Sequence, residues 1–213
     1  MYDSEMHHRR LIRLKGYDYS QTGAYFVTMC VKNKENWLGK ITDGEEVLSE
    51  IGSIAEKCWN EILTHYPCVQ LDKYVIMPNH IHGIIKIIDN DFVGAENLQP
   101  LHQIQPLPKI NQYQKIISKS LGSIIRGFKI GVTKWCNLHK YELFAWQRNY
   151  HEHIVRNEKE LNRIREYIVN NPLRWQFDRE NPECVNVGVG LKPTPTDYNK
   201  QWDDFEEAIF GEK

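Results

Sequence analysis

The sequence lacks the features that secreted and membrane proteins usually carry. Its five cysteines are odd in number and scattered without a CxxC pair, which argues against a disulfide framework and against a zinc ribbon. No apolar run approaches the roughly 20 residues that a membrane-spanning helix needs. The N-terminus is polar and basic, with no apolar stretch of the kind found in secretory signals. We therefore expect a cytoplasmic protein that does not contact a membrane.

The chain also lacks an excess of charge of either sign. It has 27 Lys and Arg against 28 Asp and Glu, so the formal net charge is −1. Bulk composition therefore does not predict binding to nucleic acid, and any such binding must come from a local basic patch. The N-terminal stretch HHRRLIRLKGYDYS is one such patch. The length of 213 residues suits one domain with additions.

Apolar periodicity predicts the principal elements. Runs rich in β-branched and aromatic residues predict strands over 24–32, 69–77, 81–88 and 143–147. Apolar residues three and four apart predict helices over 47–66, 113–138 and 159–170. The segment 150–156 is expected to be ordered, and a short hairpin strand is expected near 37–41. This order predicts an α+β fold, a ferredoxin-like antiparallel sheet with helices on one face and an additional C-terminal helix.

Two segments do not fit this periodic pattern. Residues 89–110 are rich in Pro, Gln and Asn and predict a flexible insertion. Residues 177–213 are polar and rich in Gly and Pro, and they end in a short acidic segment. We therefore expect one domain over residues 1–176, followed by a tail.

The stretch YVIMPNHIHGII, residues 74–85, places two histidines in an apolar strand. Alternate residues of a strand point to the same face, so His80 and His82 project together and Ile81 projects to the opposite side. Two imidazoles on one face can converge on one divalent cation. The alternative is that both histidines are structural, because HxH occurs in many unrelated proteins.

The stretch REYIVNNPLRW, residues 165–175, offers a nucleophile and a further ligand. Tyr167 and Asn171 are four residues apart, so they lie one helical turn from each other, and Pro172 ends the helix. A phenol is a possible nucleophile, and an amide oxygen is a possible ligand for a hard cation. Alternatively, Tyr167 packs on the sheet and Asn171 only caps the helix.

Taken together, these motifs resemble the HUH single-tyrosine transposases of bacterial insertion sequences, and in particular the REP-associated tyrosine transposases. RLKGYDYSQTGAYFVT, YVIMPNHIHGII and WQRNYHEHIVRNEKELNRIREYIVNNPLRW carry the resemblance, which spans most of the chain. It implies the HUH endonuclease fold, with the tyrosine on the C-terminal helix. It also implies that His80, His82 and Asn171 bind the metal and that Tyr167 is the nucleophile.

The resemblance further implies a metal-dependent endonuclease and strand transferase acting on single-stranded DNA in DNA transposition. Such enzymes cleave near hairpin, REP-like sequences through a 5′-phosphotyrosine intermediate. Mg²⁺ or Mn²⁺ is the expected cofactor, single-stranded or hairpin DNA the expected partner, and a monomer or homodimer the expected assembly. Two alternatives stay open: an HUH-derived DNA-binding protein that no longer cuts, and an unrelated metallohydrolase that uses HxH.

A second tyrosine also lies beside an HxH motif. In the stretch NYHEH, Tyr150 precedes His151 and His153 with Glu152 between them, so Tyr150 is a rival nucleophile. Basic and aromatic side chains that could contact DNA phosphates and unpaired bases are spread along the chain. They are Arg9, Arg10, Arg13, Lys15, Lys119, Arg126, Lys129, Trp146, Arg148, Tyr150, Arg156 and Arg174.

Overall fold

The computed structural model describes residues 17–88, 119–178, 180–182 and 209. The predicted insertion over 89–110 lies outside the described residues. So do Arg9, Arg10, Arg13 and Lys15 and most of the predicted tail.

A four-stranded antiparallel sheet forms the centre of the molecule. Its strands are β1 (Gly23–Cys30), β4 (Val69–Ile76), β5 (His80–Ile87) and β6 (His151–Val155), in the spatial order β4-β5-β1-β6. The helices are α1 (Glu50–His65), α2 (Leu121–Leu138) and α3 (Glu158–Asn170). A separate hairpin is made by β2 (Gly39–Thr42) and β3 (Glu45–Leu48). The βαββαβ connectivity and strand order are ferredoxin-like, so the predicted α+β fold is confirmed.

Both faces of the sheet are buried, because the helices lie on opposite sides. On β1, Tyr25 and Val27 belong to the core shared with α1 and α2. Phe26 points the other way and packs with Ile164 and Ile168 of α3. Burial on both sides explains why β1 reads as a continuous apolar run. The third helix is thus the predicted addition, and it covers the face that α1 and α2 leave open.

Caps set most helix boundaries. Ser49 caps α1, because its side chain accepts a hydrogen bond from Gly52 N at 3.0 Å, and Asn157 caps α3 in the same way through Glu160 N at 2.9 Å. The predicted start of α1 at residue 47 was wrong, because that residue belongs to β3. The predicted helix over 113–138 is not continuous, since Lys119 has a left-handed φ of 68° and α2 begins at Leu121; residues 113–118 lie outside the described residues.

The predicted strand over 143–147 was wrong. Within the described residues, this segment makes a single bridge between Val31 and Trp146 and does not extend the sheet. The fourth strand is β6, inside the segment expected only to be ordered. The domain boundary at residue 176 stays a prediction. The buried side chains of Asp178 and Asn181 lie just beyond that boundary, and Asn181 Nδ2 donates to Trp175 O at 3.0 Å.

Candidate active site

Strand β5 places the two histidines of the HxH motif side by side on the face covered by α3. His80 is fully buried and His82 is 2% exposed. Their Nε2 atoms are 3.0 Å apart. The His82 ring stacks on Phe26 with centroids 5.4 Å apart, and the ring of Tyr167 meets it at 5.3 Å. Because side chains alternate along the strand, His80 and His82 lie next to each other on one face, as predicted.

Each imidazole is held through its other ring nitrogen. His80 Nδ1 is bonded to Asn79 Oδ1 at 2.9 Å, and His82 Nδ1 is bonded to Thr28 Oγ1 at 2.8 Å. Thr28 lies opposite His82 in the register of β1 and β5. With both Nδ1 atoms bonded on the outer side, both Nε2 atoms face the same position. This is the orientation in which two histidines share one cation.

The third helix brings the tyrosine to the histidines in the same chain. The hydroxyl of Tyr167 lies 3.4 Å from His82 Nε2, and the side chain is 4% exposed. One turn later, Asn171 is the C-terminal cap of α3 and is 3% exposed. Its Oδ1 is buried and accepts no hydrogen bond from the part of the chain that the structure describes. Tyr167 packs on the sheet and Asn171 caps the helix, in agreement with the structural alternatives, but Tyr167 also reaches His82. Asn171 as a metal ligand stays a prediction.

Asp178 is a further acid at this site, and sequence analysis did not identify it. It follows a 3-10 helix over Pro172–Phe177 and is 7% exposed, with Oδ2 3.9 Å from His80 Nε2. One ligand atom each from His80, His82 and Asp178 lie within 4.8 Å of one another. Imidazole nitrogen with carboxylate and amide oxygen fits a divalent cation such as Mn²⁺ or Mg²⁺. Asp178 is an acidic residue after the last predicted helix, so neither strand nor helix periodicity identified it.

The second HxH motif has a different environment. His153 Nε2 is 2.8 Å from Glu160 Oε1, which ties β6 to α3. Glu152 is buried and, by alternation along β6, points away from both histidines. Within the described ranges, the metal-type cluster consists of His80, His82 and Asp178, and it includes neither histidine of β6.

A large groove collects many of the predicted DNA-contacting residues. It has a volume of about 1710 Å³ and runs between α2 and the segment 144–151. Five of the predicted residues line it: Arg126, Lys129, Trp146, Arg148 and Tyr150. Lys119, Arg156 and Arg174 are described but are not part of its lining. Thr28, the hydrogen-bond partner of His82, also lines the groove, whereas neither histidine of the pair is part of its lining.

Lys129 connects the two sides of this groove. Its Nζ donates to the carbonyls of Gln147 and Asn149, both at 2.9 Å, and lies 5.8 Å from the ring centroid of Trp146. These bonds tie α2 to the segment that carries Trp146, Arg148 and Tyr150. Burial lowers the pKa of Lys129 to about 8, because a partly desolvated ammonium is less stable than a hydrated one.

An ion-pair network fixes α3, the helix that carries Tyr167. Asp72 accepts from Arg165 Nε at 3.0 Å and from Arg165 Nη2 at 2.6 Å, and Lys86 Nζ lies 2.7 Å from its Oδ2. The hydrogen bonds from Arg165 are the first cause that holds the pKa of Asp72 far below its usual range. The network joins β4, β5 and α3 at their solvent edge.

We expect Asp72→Asn to lower the free energy of unfolding by about 1 kcal/mol at pH 7, because the two-pronged contact with Arg165 loses its charge. The pKa of Asp72 is lower in the folded protein than in the unfolded chain. The ion pair therefore stabilises the protein fully at pH values above the unfolded pKa, and this stabilisation decreases as the pH falls towards the folded pKa. The difference between wild type and variant should therefore shrink below about pH 3.9. Urea unfolding at pH 7 and pH 3 measures this difference.

Glu61→Gln is the matched control for this prediction, since its partner Lys57 is 3.9 Å away and both side chains are exposed. We expect it to change the free energy of unfolding by less than about 0.5 kcal/mol. Equal losses of unfolding free energy in the two variants would contradict a stabilising ion pair between Asp72 and Arg165. So would a loss in Asp72→Asn that does not shrink at low pH.

Two proteins of Haemophilus influenzae are similar to this chain in sequence. No family model matches the chain. An uncharacterized protein of Haemophilus influenzae is 45% identical over 178 residues, covering 84% of this chain and 96% of that protein. A candidate REP-associated tyrosine transposase of the same organism is 26% identical over 164 residues, covering 75% of this chain and 76% of the other.

A solved structure of a REP-associated tyrosine transposase bound to a REP hairpin has the same fold. It aligns with a TM-score of 0.50 at 19% identity, covering 76% of this chain and 73% of that one. None of the helices in the described ranges is long and apolar enough to cross a bilayer. The chain forms one family with the 45% identical Haemophilus protein, and it is similar in sequence and in fold to REP-associated tyrosine transposases.

Proposed function

We propose that the protein is a metal-dependent endonuclease and strand transferase for single-stranded DNA. It would cleave near hairpin, REP-like sequences through a 5′-phosphotyrosine intermediate, in the course of DNA transposition. The observation that supports this proposal most strongly is the approach of the Tyr167 hydroxyl to His82 Nε2 at 3.4 Å. A helix 85 residues downstream thereby brings a phenol to the histidine pair of its own chain. A monomer would then contain a full set of reacting groups.

In this proposal, His80 and His82 hold the cation, Mg²⁺ or Mn²⁺, with oxygen ligands from Asn171 and Asp178. The Oδ1 of Asn171 is buried and has no hydrogen-bond partner among the described residues, so its lone pairs could serve a cation. A divalent cation bound there would supply Lewis-acid polarisation and orientation of the scissile phosphate. Thr28 and Asn79 would keep the two imidazoles aimed at the shared position.

Tyr167 would attack the phosphorus. The bond from its phenolic oxygen to phosphorus forms as the bond from phosphorus to the 3′ oxygen breaks. The phenol loses its proton, and the departing 3′ oxygen takes one up as a hydroxyl. The tyrosine ester conserves the energy of the broken bond. A 3′-hydroxyl of another strand can therefore displace Tyr167 in the reverse reaction, with no need for ATP.

We assign the unpaired strand next to the hairpin to the groove beside α2. Arg126, Lys129 and Arg148 supply positive charge, and Tyr150 and Trp146 offer partly exposed aromatic rings for stacking. Thr28 lines the groove and bonds His82, so a strand that follows the groove would pass beside the residue that holds this histidine. DNA contacts at Lys119, Arg156, Arg174 and the N-terminal basic residues Arg9, Arg10, Arg13 and Lys15 stay predictions.

We expect the double variant Arg126→Ala, Arg148→Ala to bind single-stranded DNA more weakly and with less dependence on salt. Each lost phosphate contact lowers the slope of log affinity against log salt by about 0.7, so the pair lowers it by about 1.4. Fluorescence anisotropy over a range of salt concentrations measures the slope. Lys57→Ala, on the exposed side of α1, is the control and should leave the slope unchanged. An unchanged slope in the double variant would place the DNA elsewhere.

The test of the function is a covalent-adduct assay. Single-stranded DNA with a hairpin and labelled flanks is incubated with the protein and Mn²⁺ and resolved on a denaturing gel. The proposal expects a protein–DNA adduct and a free 3′-hydroxyl, with hairpin DNA preferred over unstructured DNA of equal length. Hairpin binding without an adduct would support the non-cutting alternative. Metal-dependent hydrolysis without an adduct would support the metallohydrolase.

A further inference from the structure

The amide of Asn79 can adopt one orientation only. The residue lies in the turn between β4 and β5 and is 1% exposed. Its Nδ2 is 3.0 Å from the carbonyl oxygen of Lys34 and 2.7 Å from that of Glu180. Carbonyl oxygens only accept hydrogen bonds, so the end of the amide that faces them must be the donor. The opposite end, 2.9 Å from His80 Nδ1, is therefore the oxygen.

This orientation decides where the proton of His80 lies. An amide oxygen cannot donate, so the 2.9 Å contact is a hydrogen bond only if His80 Nδ1 carries the hydrogen. In the neutral ring, Nε2 then bears the lone pair, and Nε2 is the atom that faces His82 at 3.0 Å and Asp178 at 3.9 Å. His80 is thus prepared as a cation ligand before any cation binds.

The hydrogen-bond partner of His82 does not fix which of its ring nitrogens carries the hydrogen. Thr28 Oγ1 lies 2.8 Å from His82 Nδ1, and a hydroxyl can donate or accept. It is compatible with a hydrogen on either nitrogen of His82. In the metal-free protein, His82 Nε2 can therefore donate to the lone pair of His80 Nε2. When both lone pairs are needed, His82 carries its hydrogen on Nδ1 instead of Nε2, and the Thr28 hydroxyl rotates to accept a hydrogen bond from it.

Asn79 also connects the histidine to the loop that carries Asp178. Glu180, whose carbonyl accepts from Asn79, lies two residues after Asp178, and its backbone N donates to Asp178 Oδ1 at 2.6 Å. The carbonyl of Lys34, the second acceptor, belongs to the turn that follows β1. One buried amide thereby ties together the ring of His80, the acid loop and the end of the central strand.

We propose that Asn79 is a positioning residue that fixes the Nδ1–H form of His80 and so keeps the Nε2 lone pair directed at the cation position. The inference rests on the proposed metal site for its role in the reaction. The protonation pattern itself can be read in protein without metal, so the two proposals can fail separately.

Two substitutions separate the acceptor of Asn79 from its donors. Asn79→Asp keeps an oxygen for His80 Nδ1 and loses both donors, whereas Asn79→Ala loses all three bonds. The first readout is the ¹⁵N shifts of His80 in metal-free protein, from long-range ¹H–¹⁵N correlation, which distinguish protonated from bare ring nitrogens. The second is the Kd for Mn²⁺, from electron paramagnetic resonance titration, with thermal unfolding to verify that each variant is folded.

We expect Nδ1–H at His80 in wild type and in Asn79→Asp, and a mixture of both forms in Asn79→Ala. The Kd for Mn²⁺ should rise by about 10- to 100-fold in Asn79→Ala and stay within about threefold of wild type in Asn79→Asp. Hydrogen on Nε2 of His80 in wild type would overturn the inference, even if Asn79→Ala does not fold. An equal rise in the Kd for Mn²⁺ in both variants would also overturn it, because the loss of the two hydrogen bonds donated by Asn79 would then explain the effect. Wild type that binds no Mn²⁺ but shows Nδ1–H would contradict the metal site and keep the assignment for Asn79.

Discussion

We expect Tyr167→Phe to abolish the covalent DNA adduct while leaving the fold and the binding of hairpin DNA intact. The variant removes one oxygen atom, and the ring keeps its packing on Phe26, whose centroid is 6.1 Å away, and beside His82. Without the phenolic oxygen, no bond to phosphorus can form. We expect adduct formation to fall by more than about a thousandfold, as expected when a nucleophile is removed. The adduct assay measures the rate, and anisotropy measures binding.

The matched control is Tyr150→Phe, because Tyr150 is the rival nucleophile. Tyr150 lines the groove and is half-buried, so its hydroxyl is one group that a DNA strand would meet. We expect this variant to form the adduct at a rate within about tenfold of wild type, since a stacking or phosphate contact contributes far less than the nucleophile itself. A reversed result, with the adduct lost at Tyr150 and kept at Tyr167, would transfer the chemistry to the second HxH segment.

His82→Phe should remove Mn²⁺ binding with little change in packing. Phenylalanine has nearly the shape of the imidazole and preserves the stack on Phe26, but it offers no lone pair. The loss of a direct ligand should exceed that of an outer hydrogen-bond partner, so we expect the Kd for Mn²⁺ to rise by more than about a hundredfold. Adduct formation should fall in parallel, whereas hairpin binding through the groove should persist.

His153→Phe is the control for this second prediction. It replaces a histidine of the other HxH motif, whose Nε2 contacts Glu160 at 2.8 Å outside the cluster of His80, His82 and Asp178. We expect its Mn²⁺ affinity to equal that of wild type and its stability to fall modestly through the lost link to α3. Strong loss of Mn²⁺ binding in His153→Phe, with none in His82→Phe, would assign the cation to β6.

Local patterns predicted those parts of the fold that local forces set. Strand alternation put His80 and His82 on one face, and apolar periodicity placed the start of α3 within one residue of Glu158, where it begins. The spacing of Tyr167 and Asn171 followed from the helical turn. These features depend on residues a few positions apart, so one sequence suffices to see them.

Tertiary contacts set the parts that could not be predicted. The segment 143–147 is more apolar than HEHIV, yet the latter forms β6. Among the described residues β6 pairs with β1 alone, and such an edge strand can carry polar residues. The left-handed backbone of Lys119 stops α2 from starting earlier, and helical periodicity does not report such a break. Asp178 reaches His80 only because the 3-10 helix over Pro172–Phe177 turns the chain back to the sheet.

Peptide mapping of the wild-type adduct tests the central claim most directly. The protein is reacted with hairpin-bearing single-stranded DNA and Mn²⁺, the DNA is trimmed with nuclease, and mass spectrometry locates the tyrosine that retains a nucleotide. The account predicts a 5′-linked nucleotide on Tyr167 and on no other tyrosine. A nucleotide on Tyr150, or cleaved DNA with every tyrosine unmodified, would contradict it.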